Sequence, residues 1–155
     1  MRVYLGSDHA GFELKVHLAN HLAKQGYDVV DVGPHGYDPD DDYPTFCLHT
    51  GHQVVADGTG LAVVIGGSGN GEQIAANKVA GVRAALAWSV ETAQLARQHN
   101  DANVVAVGAR QHTLDEATAI VEAFLSTPFS GNERHARRIA QVAEYEQTRE
   151  LPELP

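Results

Sequence analysis

The sequence predicts an α/β fold in which a five-stranded parallel sheet lies between two layers of helices. Short runs rich in β-branched residues alternate along the 155 residues with helical patterns. The third and fifth runs, residues 61–65 and 104–107, are apolar at every position. Parallel strands that helices cover on both faces have this pattern. A single doubly wound sheet with right-handed connections accounts for the order.

The elements follow one another in a regular β-α order. The predicted strands are residues 3–5, 27–32, 61–65, 84–88 and 104–107. Leu14, Leu18 and Leu22 share one face of the first helix because they are spaced four apart. Further helices are predicted around Cys47 and over residues 73–79, 92–99, 117–125 and 133–147. The result is a three-layer, Rossmann-like fold with an additional C-terminal helix, and such sheets bind ligands outside the carboxyl ends of their strands.

Composition and charge limit the domain organisation and the partners. We predict one domain over residues 1–148 and a poorly ordered tail over residues 149–155, which holds two prolines. The 20 acidic residues outnumber the 11 basic ones, which argues against nucleic-acid binding over a broad surface. A single cysteine, Cys47, suits a core position and a reducing cytoplasm. The sequence has no signal-peptide core and no long apolar run, so we expect a soluble protein with a small-molecule partner and no membrane association.

Polar residues and glycines stand at the ends of four of the predicted strands. Asp8 and His9 come after the first strand, residues 66–71 and Glu72 after the third, Ser89 after the fourth, and Arg110 after the fifth. The glycine run lets several backbone N–H groups point at one anion, and the following helix adds its positive end. Its glycine spacing does not fit a dinucleotide site, and Glu72 stands where a P-loop has lysine. We therefore expect an anion site of another kind.

Glu72 has two interpretations from the residues alone. As a first-turn acid it is favoured by the helix dipole. If it is desolvated against the glycine loop, it becomes a candidate general base. The residues leave both open.

The acidic run at residues 38–42 superficially suggests a calcium loop. It lacks the glycine and the closing glutamate that such a loop requires, and Pro39 interrupts it. We therefore predict a solvated loop over residues 33–44.

Arg134, Arg137 and Arg138 form a basic cluster in an acidic chain. Arg134 and Arg138 are like charges four residues apart near the positive end of their own helix, at a cost of roughly a few tenths of a kcal/mol. The cluster either pairs with neighbouring glutamates on a solvated face or binds phosphate, which planar guanidinium groups suit. We favour phosphate.

His99 and Asn100 end the helix that leads into the fifth strand. That helix ends at the amino edge of the sheet, so His99 lies a strand length, roughly 15 Å, from the catalytic edge of its own chain. His99 is then either a helix-terminal cation or part of a site in another subunit. The residues alone favour the cation.

Three motifs together resemble the B-type ribose-5-phosphate isomerases. They are GSDHAG at residues 6–11, GGSGNGEQIAANK at residues 66–78 and ARQHNDAN at residues 96–103. The resemblance runs over residues 1–148 and includes Asp42, Tyr43 and Pro44. It implies a cofactor-free, metal-independent aldose–ketose isomerase that interconverts ribose 5-phosphate and ribulose 5-phosphate. It also implies a homodimer with sites shared between subunits, or a tetramer of such dimers, and this would explain His99.

One position departs from the commonest pattern of that family. Many members carry a cysteine base just before the glycine loop, where this chain has Gly66. The chain resembles the branch in which a glutamate just after the loop is the base, and that residue is Glu72.

The resemblance also implies roles for the other residues. The catalytic residues are Glu72, His99, Asp8 and Ser68. The substrate-binding residues are Asp8, His9, Gly67, Ser68, Gly69, Asn70, Gly71, Asn100, Arg110, Arg134 and Arg138. His99 would donate a proton to the ring oxygen, while Asp8 would accept one from the anomeric hydroxyl. Two other functions stay open: a six-carbon isomerase acting on allose or galactose 6-phosphate, and a sugar-phosphate sensor without turnover.

Overall fold

A computed structural model describes residues 1–154 of the chain. Those residues form one five-stranded sheet in the order β2-β1-β3-β5-β4, with every neighbouring pair parallel. The strands are β1 Arg2–Ser7, β2 Asp28–Gly33, β3 Leu61–Gly66, β4 Ala84–Leu86 and β5 Val104–Gly108. The helices are α1 Phe12–Lys24, α2 Tyr43–Asp57, α3 Asn70–Ala76, α4 Val90–Asn100, α5 Leu114–Ser126 and α6 Glu133–Thr148. The predicted fold class is confirmed.

The core lies in two layers, one on each face of the sheet. Alternate strand residues, such as Val63 and Val64, join opposite layers. One layer packs against α1, α4 and α5, and the other against α2 and α3. Both β3 and β5 are buried throughout, as their continuous apolar runs predict.

Several predicted boundaries are wrong. The loop predicted over residues 33–44 ends earlier, because α2 begins at Tyr43, and the helix predicted over residues 117–125 begins at Leu114. The strand predicted over residues 84–88 ends at Leu86, and Trp88, beyond its end, is 65% exposed. The helix predicted over residues 73–79 runs from Asn70 to Ala76. It stops early because the Asn77 side chain turns to β4, where it accepts the Ala84 N–H at 2.8 Å and donates to the Ala84 carbonyl at 2.9 Å.

The C-terminal part follows α6. Arg149 ends that helix in a left-handed conformation, with φ +62°. Residues 151–154 have no regular secondary structure, and Pro155 lies outside the described residues. The division into a domain of residues 1–148 and a tail of residues 149–155 stays a prediction. Within the described chain, none of the helices is both long enough and apolar enough to cross a membrane.

Candidate active site

A cavity of about 440 Å³ opens at the carboxyl edge of the sheet. Its walls come from the residues that follow β1, β3 and β5, together with the start of α2. The lining residues are Asp8, His9, Ala10, Tyr43, Gly67, Ser68, Gly71, Glu72, Arg110 and Gln111. Most of the residues predicted to act at the strand ends therefore lie around one space, as the strand-end rule requires.

Glu72 lies in the first turn of α3 with its carboxylate turned inward. The residue is only 4% exposed, and it lies so close to Gly66 that a Cβ there would overlap the carboxylate. Burial raises the pKa of Glu72 and the nearby charge of Asp8 adds to the increase, while the backbone N–H groups of Glu72 and Gly69 act in the opposite direction. Glu91, the first-turn acid of α4, is exposed. The geometry of Glu72 is that of a desolvated base and not of a solvated first-turn acid.

In the glycine loop between β3 and α3, some N–H groups bind other parts of the loop and others remain for a ligand. Gly69 has φ +82°, and its backbone N–H lowers the pKa of Glu72. The Asn70 N–H and side-chain amide both donate to the Ser68 hydroxyl, at 3.3 and 3.2 Å. Gly69 and Asn70, both predicted to bind substrate, lie outside the lining of this cavity, and Asn70 holds the loop through Ser68. Their part in substrate binding stays a prediction.

Tyr43 covers the start of α3 from the side of α2. A Cβ on Gly71 would come within 2.7 Å of Cζ in the Tyr43 ring. Glycine at this position therefore lets the aromatic ring close one wall of the cavity, next to Gly71 and Glu72.

Asp8 and His9, which line the cavity after β1, are held in place by hydrogen bonds. Asp8 Oδ1 accepts the Gly11 N–H at 3.1 Å and caps the short 3-10 turn His9–Gly11. Oδ1 of Asp41 accepts both the backbone N–H and Nδ1 of His9 at 2.8 Å. The prediction of a solvated loop is correct for Asp38 and Asp40, but it is wrong for Asp41, whose side chain is 8% exposed.

Asp8, His9 and Asp41 could also be considered as metal ligands. One donor atom from each lies within 4.8 Å of the others. The hydrogen bonds of Asp8 to Gly11 and of Asp41 to His9 already account for this arrangement.

The other predicted site residues lie at the opposite edge of the sheet. Arg83, just before β4, donates Nε to the Asn100 carbonyl at 3.0 Å, which places the end of α4 at the amino edge. There the His99 ring lies 4.3 Å from that of His135 on α6. Arg138 and Asn100 share a groove of about 550 Å³, and Arg134 is exposed nearby on the same helix.

This second group of residues concentrates positive charge. Burial lowers the pKa of His135, and the charges of His99, Arg138 and Arg134 lower it further. Such a cluster suits an anion. Within one chain, the predicted site is thus divided into two halves at opposite edges of the sheet.

Sequence reasoning missed two features of the cavity. The space that Gly66 leaves for the Glu72 carboxylate has no signature in a glycine-rich run. The pairing of Asp41 with His9 spans 32 residues, and nothing local separates Asp41 from the other acids of residues 38–42.

Comparison with known proteins identifies several that this chain resembles over most of its length. The sequence model of the ribose/galactose isomerase family matches residues 3–142. A protein named ribose-5-phosphate isomerase B from Mycolicibacterium paratuberculosis is 59% identical over 155 residues, which are 100% of this chain and 98% of that protein. The Escherichia coli protein of the same name is 38% identical over 148 residues, covering 96% of this chain and 98% of that one.

Solved structures show the same similarity. Ribose-5-phosphate isomerase B from Mycoplasma genitalium, with bound ribulose 5-phosphate, matches with a TM-score of 0.91 and 42% identity, over 95% of this chain and 97% of that one. The type B enzyme of Trypanosoma cruzi matches with a TM-score of 0.90 and 39% identity, over 96% of this chain and 99% of that one.

Proposed function

This chain belongs to the ribose/galactose isomerase family and interconverts D-ribose 5-phosphate and D-ribulose 5-phosphate, and we propose that Glu72 is the base that moves the proton in that reaction. One observation carries the assignment. The Glu72 carboxylate is buried at the mouth of the glycine loop, in the same cavity as Asp8, Ser68 and Arg110. A desolvated carboxylate with a raised pKa is a stronger base once ionised, as abstraction of a proton from carbon requires.

The isomerisation step follows from the placement of Glu72. In the open aldehyde, Glu72 takes the proton from C2 and returns it to C1 through a cis-enediolate, so one carboxylate serves two adjacent carbons. The charge that develops on the enediolate oxygens is stabilised by backbone N–H groups of residues 67–71 and by the Ser68 hydroxyl. Because these donors are oriented before reaction, each can contribute about 3 kcal/mol to the barrier reduction.

Ring opening needs a base at the anomeric hydroxyl and an acid at the ring oxygen. Asp8 accepts the proton of the anomeric hydroxyl, because the Gly11 cap engages Oδ1 and leaves Oδ2 for substrate. His99 of the partner subunit donates a proton to the ring oxygen, and its Asn100 contacts a sugar hydroxyl. In its own chain, His99 lies at the amino edge and is remote from Glu72.

The substrate phosphate binds where both halves of the site meet. His9 and Arg110 approach it from the cavity, and Arg134 and Arg138 of the partner subunit approach it from α6. Fixing the phosphate far from the reacting carbons positions the sugar at Glu72 and lowers the entropic part of the barrier.

A homodimer is the oligomer that this division supports. β4 is an edge strand, and two large apolar side chains that line the groove beside it are exposed: Trp88 is 65% and Val142 63% exposed. Apolar side chains gathered around one groove mark an interaction surface. A second copy of the chain bound at this groove would bring His99, at the end of α4, toward the Glu72 cavity of its partner. That cavity needs His99 as the acid for ring opening. Pairing of such dimers into a tetramer is compatible with this arrangement.

We place the protein in the cytoplasm. Its free cysteine, Cys47, is fully buried, and burial raises the pKa of the thiol, which makes it unreactive. A fold that depends on no disulfide suits a reducing compartment.

The substitution Glu72→Gln tests the base assignment because it keeps shape and removes the proton acceptor. Turnover of ribose 5-phosphate, and exchange of its C2 proton with heavy water, should both fall by at least about 10²-fold. The matched control is Glu91→Gln, an exposed first-turn glutamate of α4, which should retain wild-type rates. Near-normal turnover in the Glu72 variant would end the assignment.

The same assay separates the substrate classes. With EDTA present, ribose 5-phosphate should be converted faster than allose 6-phosphate or galactose 6-phosphate. Faster conversion of a six-carbon sugar would move the activity to the other substrates of the family, and loss of activity in EDTA would require a metal.

A further inference from the structure

The acidic loop between β2 and α2 delivers one carboxylate to His9, a residue that lines the active-site cavity. Oδ1 of Asp41 accepts two hydrogen bonds from His9, one from its backbone N–H and one from Nδ1, each at 2.8 Å. The Asp41 side chain is 8% exposed, whereas Asp38, Asp40 and Asp42 are exposed. Asp41 is thus the member of the run that is directed to the interior.

The pairing determines how the His9 ring is presented. An ionised carboxylate only accepts hydrogen bonds, so Nδ1 must carry the proton that it donates to Asp41. The His9 side chain lines the cavity and is 29% exposed. Since Asp41 covers the Nδ1 edge, the edge that contains Nε2 is the one left for a ligand.

The buried position of the Asp41 carboxylate is energetically unfavourable. Its second oxygen, Oδ2, is buried, and among residues 1–154 no donor reaches it. A buried carboxylate oxygen without a partner is unfavourable and calls for a functional explanation. The two hydrogen bonds that Asp41 accepts from His9 provide this explanation.

The loop is anchored at its beginning by contacts among residues that do not line the cavity. Lys15 of α1 is fully buried, and its Nζ donates to Asp31 and, at 2.8 Å, to the Pro34 carbonyl. The Tyr37 ring meets the Phe12 ring edge-on at 6.1 Å between centroids. Further along, the Asp41 N–H donates to the Asp38 carbonyl at 3.3 Å. The loop is therefore built to hold Asp41 in one position.

We propose that Asp41 is a positioning residue that fixes the His9 ring with a protonated Nε2 directed into the cavity, where it donates a hydrogen bond to the substrate phosphate. The proposal rests on the isomerase function stated above and extends it to a residue of the acidic loop. Asp41 touches no reacting atom. Asp41 strengthens binding of the ground state and of the transition state equally. Its removal therefore changes KM more than kcat.

The charges around His9 support a cationic ring. The hydrogen bond to Asp41 raises the pKa of His9 more than burial lowers it, and the charge of Asp8 adds to the increase. Glu72 and Arg110 face the same cavity, and Arg134 and Arg138 of the partner subunit would approach it in the homodimer. The contribution of His9 to phosphate binding is present below its pKa and is lost as the pH rises through it. Removing the Asp41 charge therefore moves this loss to lower pH.

The test compares Asp41→Asn with Asp40→Asn, which removes the same charge from an exposed neighbour in the same loop. In Asp41→Asn, KM for ribose 5-phosphate should rise about tenfold, the loss expected for one hydrogen bond to a charged group, while kcat changes by less than about threefold. The rise of KM with pH should begin at lower pH than in the wild type. Substrate ionisation is common to all variants and cancels in the comparison. Equal KM values and pH profiles for the two variants, or a fall in kcat with unchanged KM, would overturn the proposal.

A second measurement on the unmutated enzyme does not depend on catalysis or on folding of a variant. Nitrogen NMR of the His9 ring, with and without inorganic phosphate, should show Nδ1 protonated throughout, a pKa above 6.5, and a shift of Nε2 on phosphate addition. A ring that titrates at or below 6.5, or an Nδ1 without a proton, contradicts the role of Asp41. If the enzyme lacked isomerase activity, the NMR result would still decide the His9–Asp41 pairing, so the two proposals fail separately.

Discussion

At the end of β3, the Glu72 carboxylate occupies the space that a side chain at residue 66 would fill. Glycine at residue 66 is what allows the carboxylate to turn inward, because any side chain there would meet it. The carboxylate is consequently held against backbone and away from bulk water, which raises its pKa. The chemistry of residue 72 thus depends on the absence of a side chain at residue 66.

Adding one methyl group at residue 66 should therefore disable the base. We expect Gly66→Ala to lower kcat for ribose 5-phosphate by at least about 10²-fold, as loss of a general base does. Far-ultraviolet circular dichroism should show that the fold is kept. Gly36→Ala is the matched control, because a Cβ at that exposed glycine meets nothing within 4 Å. Wild-type kcat in Gly66→Ala would show that Glu72 can act from another position.

The pH dependence of kcat reports the ionisation of the same group. Glu72 accepts a proton only when it is ionised, so kcat falls as the pH is lowered through its pKa. Because burial raises that pKa, the acid limb should lie above pH 4.5, the ordinary value for glutamate. The measurement is kcat at saturating substrate from about pH 4 to about pH 8. A limb at or below 4.5 contradicts a desolvated base.

Among the elements, α1 and the loop that follows β2 depend on each other. Lys15 stands next to Leu14 on the face of α1 that packs inward, and its Nζ holds Asp31 and the Pro34 carbonyl. A buried lysine stabilises the fold through the groups that it binds. Removing Lys15 leaves the Asp31 carboxylate without its cationic partner. The path of the loop, and with it the position of Asp41, begins at this contact.

Replacing Lys15 with methionine should loosen that anchor. We expect Lys15→Met to lower the free energy of unfolding by roughly 1 to 3 kcal/mol, less than for a fully buried pair because Asp31 keeps contact with water. It should also raise KM for ribose 5-phosphate with little change in kcat. Urea denaturation and steady-state kinetics measure the two effects. Lys24→Met, at the exposed end of α1, is the control and should change neither quantity; equal behaviour of the two variants would show that Lys15 does not anchor the loop.

The elements themselves were largely predictable, and the contacts between distant segments were not. Continuous apolar runs predicted β3 and β5 because burial on both faces leaves no polar position. The early end of α3 depends on the bonds of Asn77 to Ala84, and the loop position depends on Lys15 and Pro34. These contacts join residues that sequence periodicity does not relate.

At the scale of the whole molecule, the division of the site is the main structural fact. Topology predicted that His99 lies a strand length from the catalytic edge, and the bond from Arg83 to Asn100 confirms its place at the amino edge. Arg134 and Arg138 lie with it, and Glu72 lies across the sheet. The sequence could identify these residues but not the copy that supplies each one, since a single chain specifies no relation to a second.

The most direct test of this account is activity in mixed dimers of two inactive variants, Glu72→Gln and His99→Ala. If each site combines Glu72 of one subunit with His99 of the other, a mixed dimer contains one intact site and one doubly defective site. Random reassortment of the two variants should then restore about one quarter of wild-type turnover of ribose 5-phosphate, from parents that are nearly inactive. No recovery in mixed dimers verified by mass spectrometry would contradict the account, because sites formed within one chain would each carry a defect.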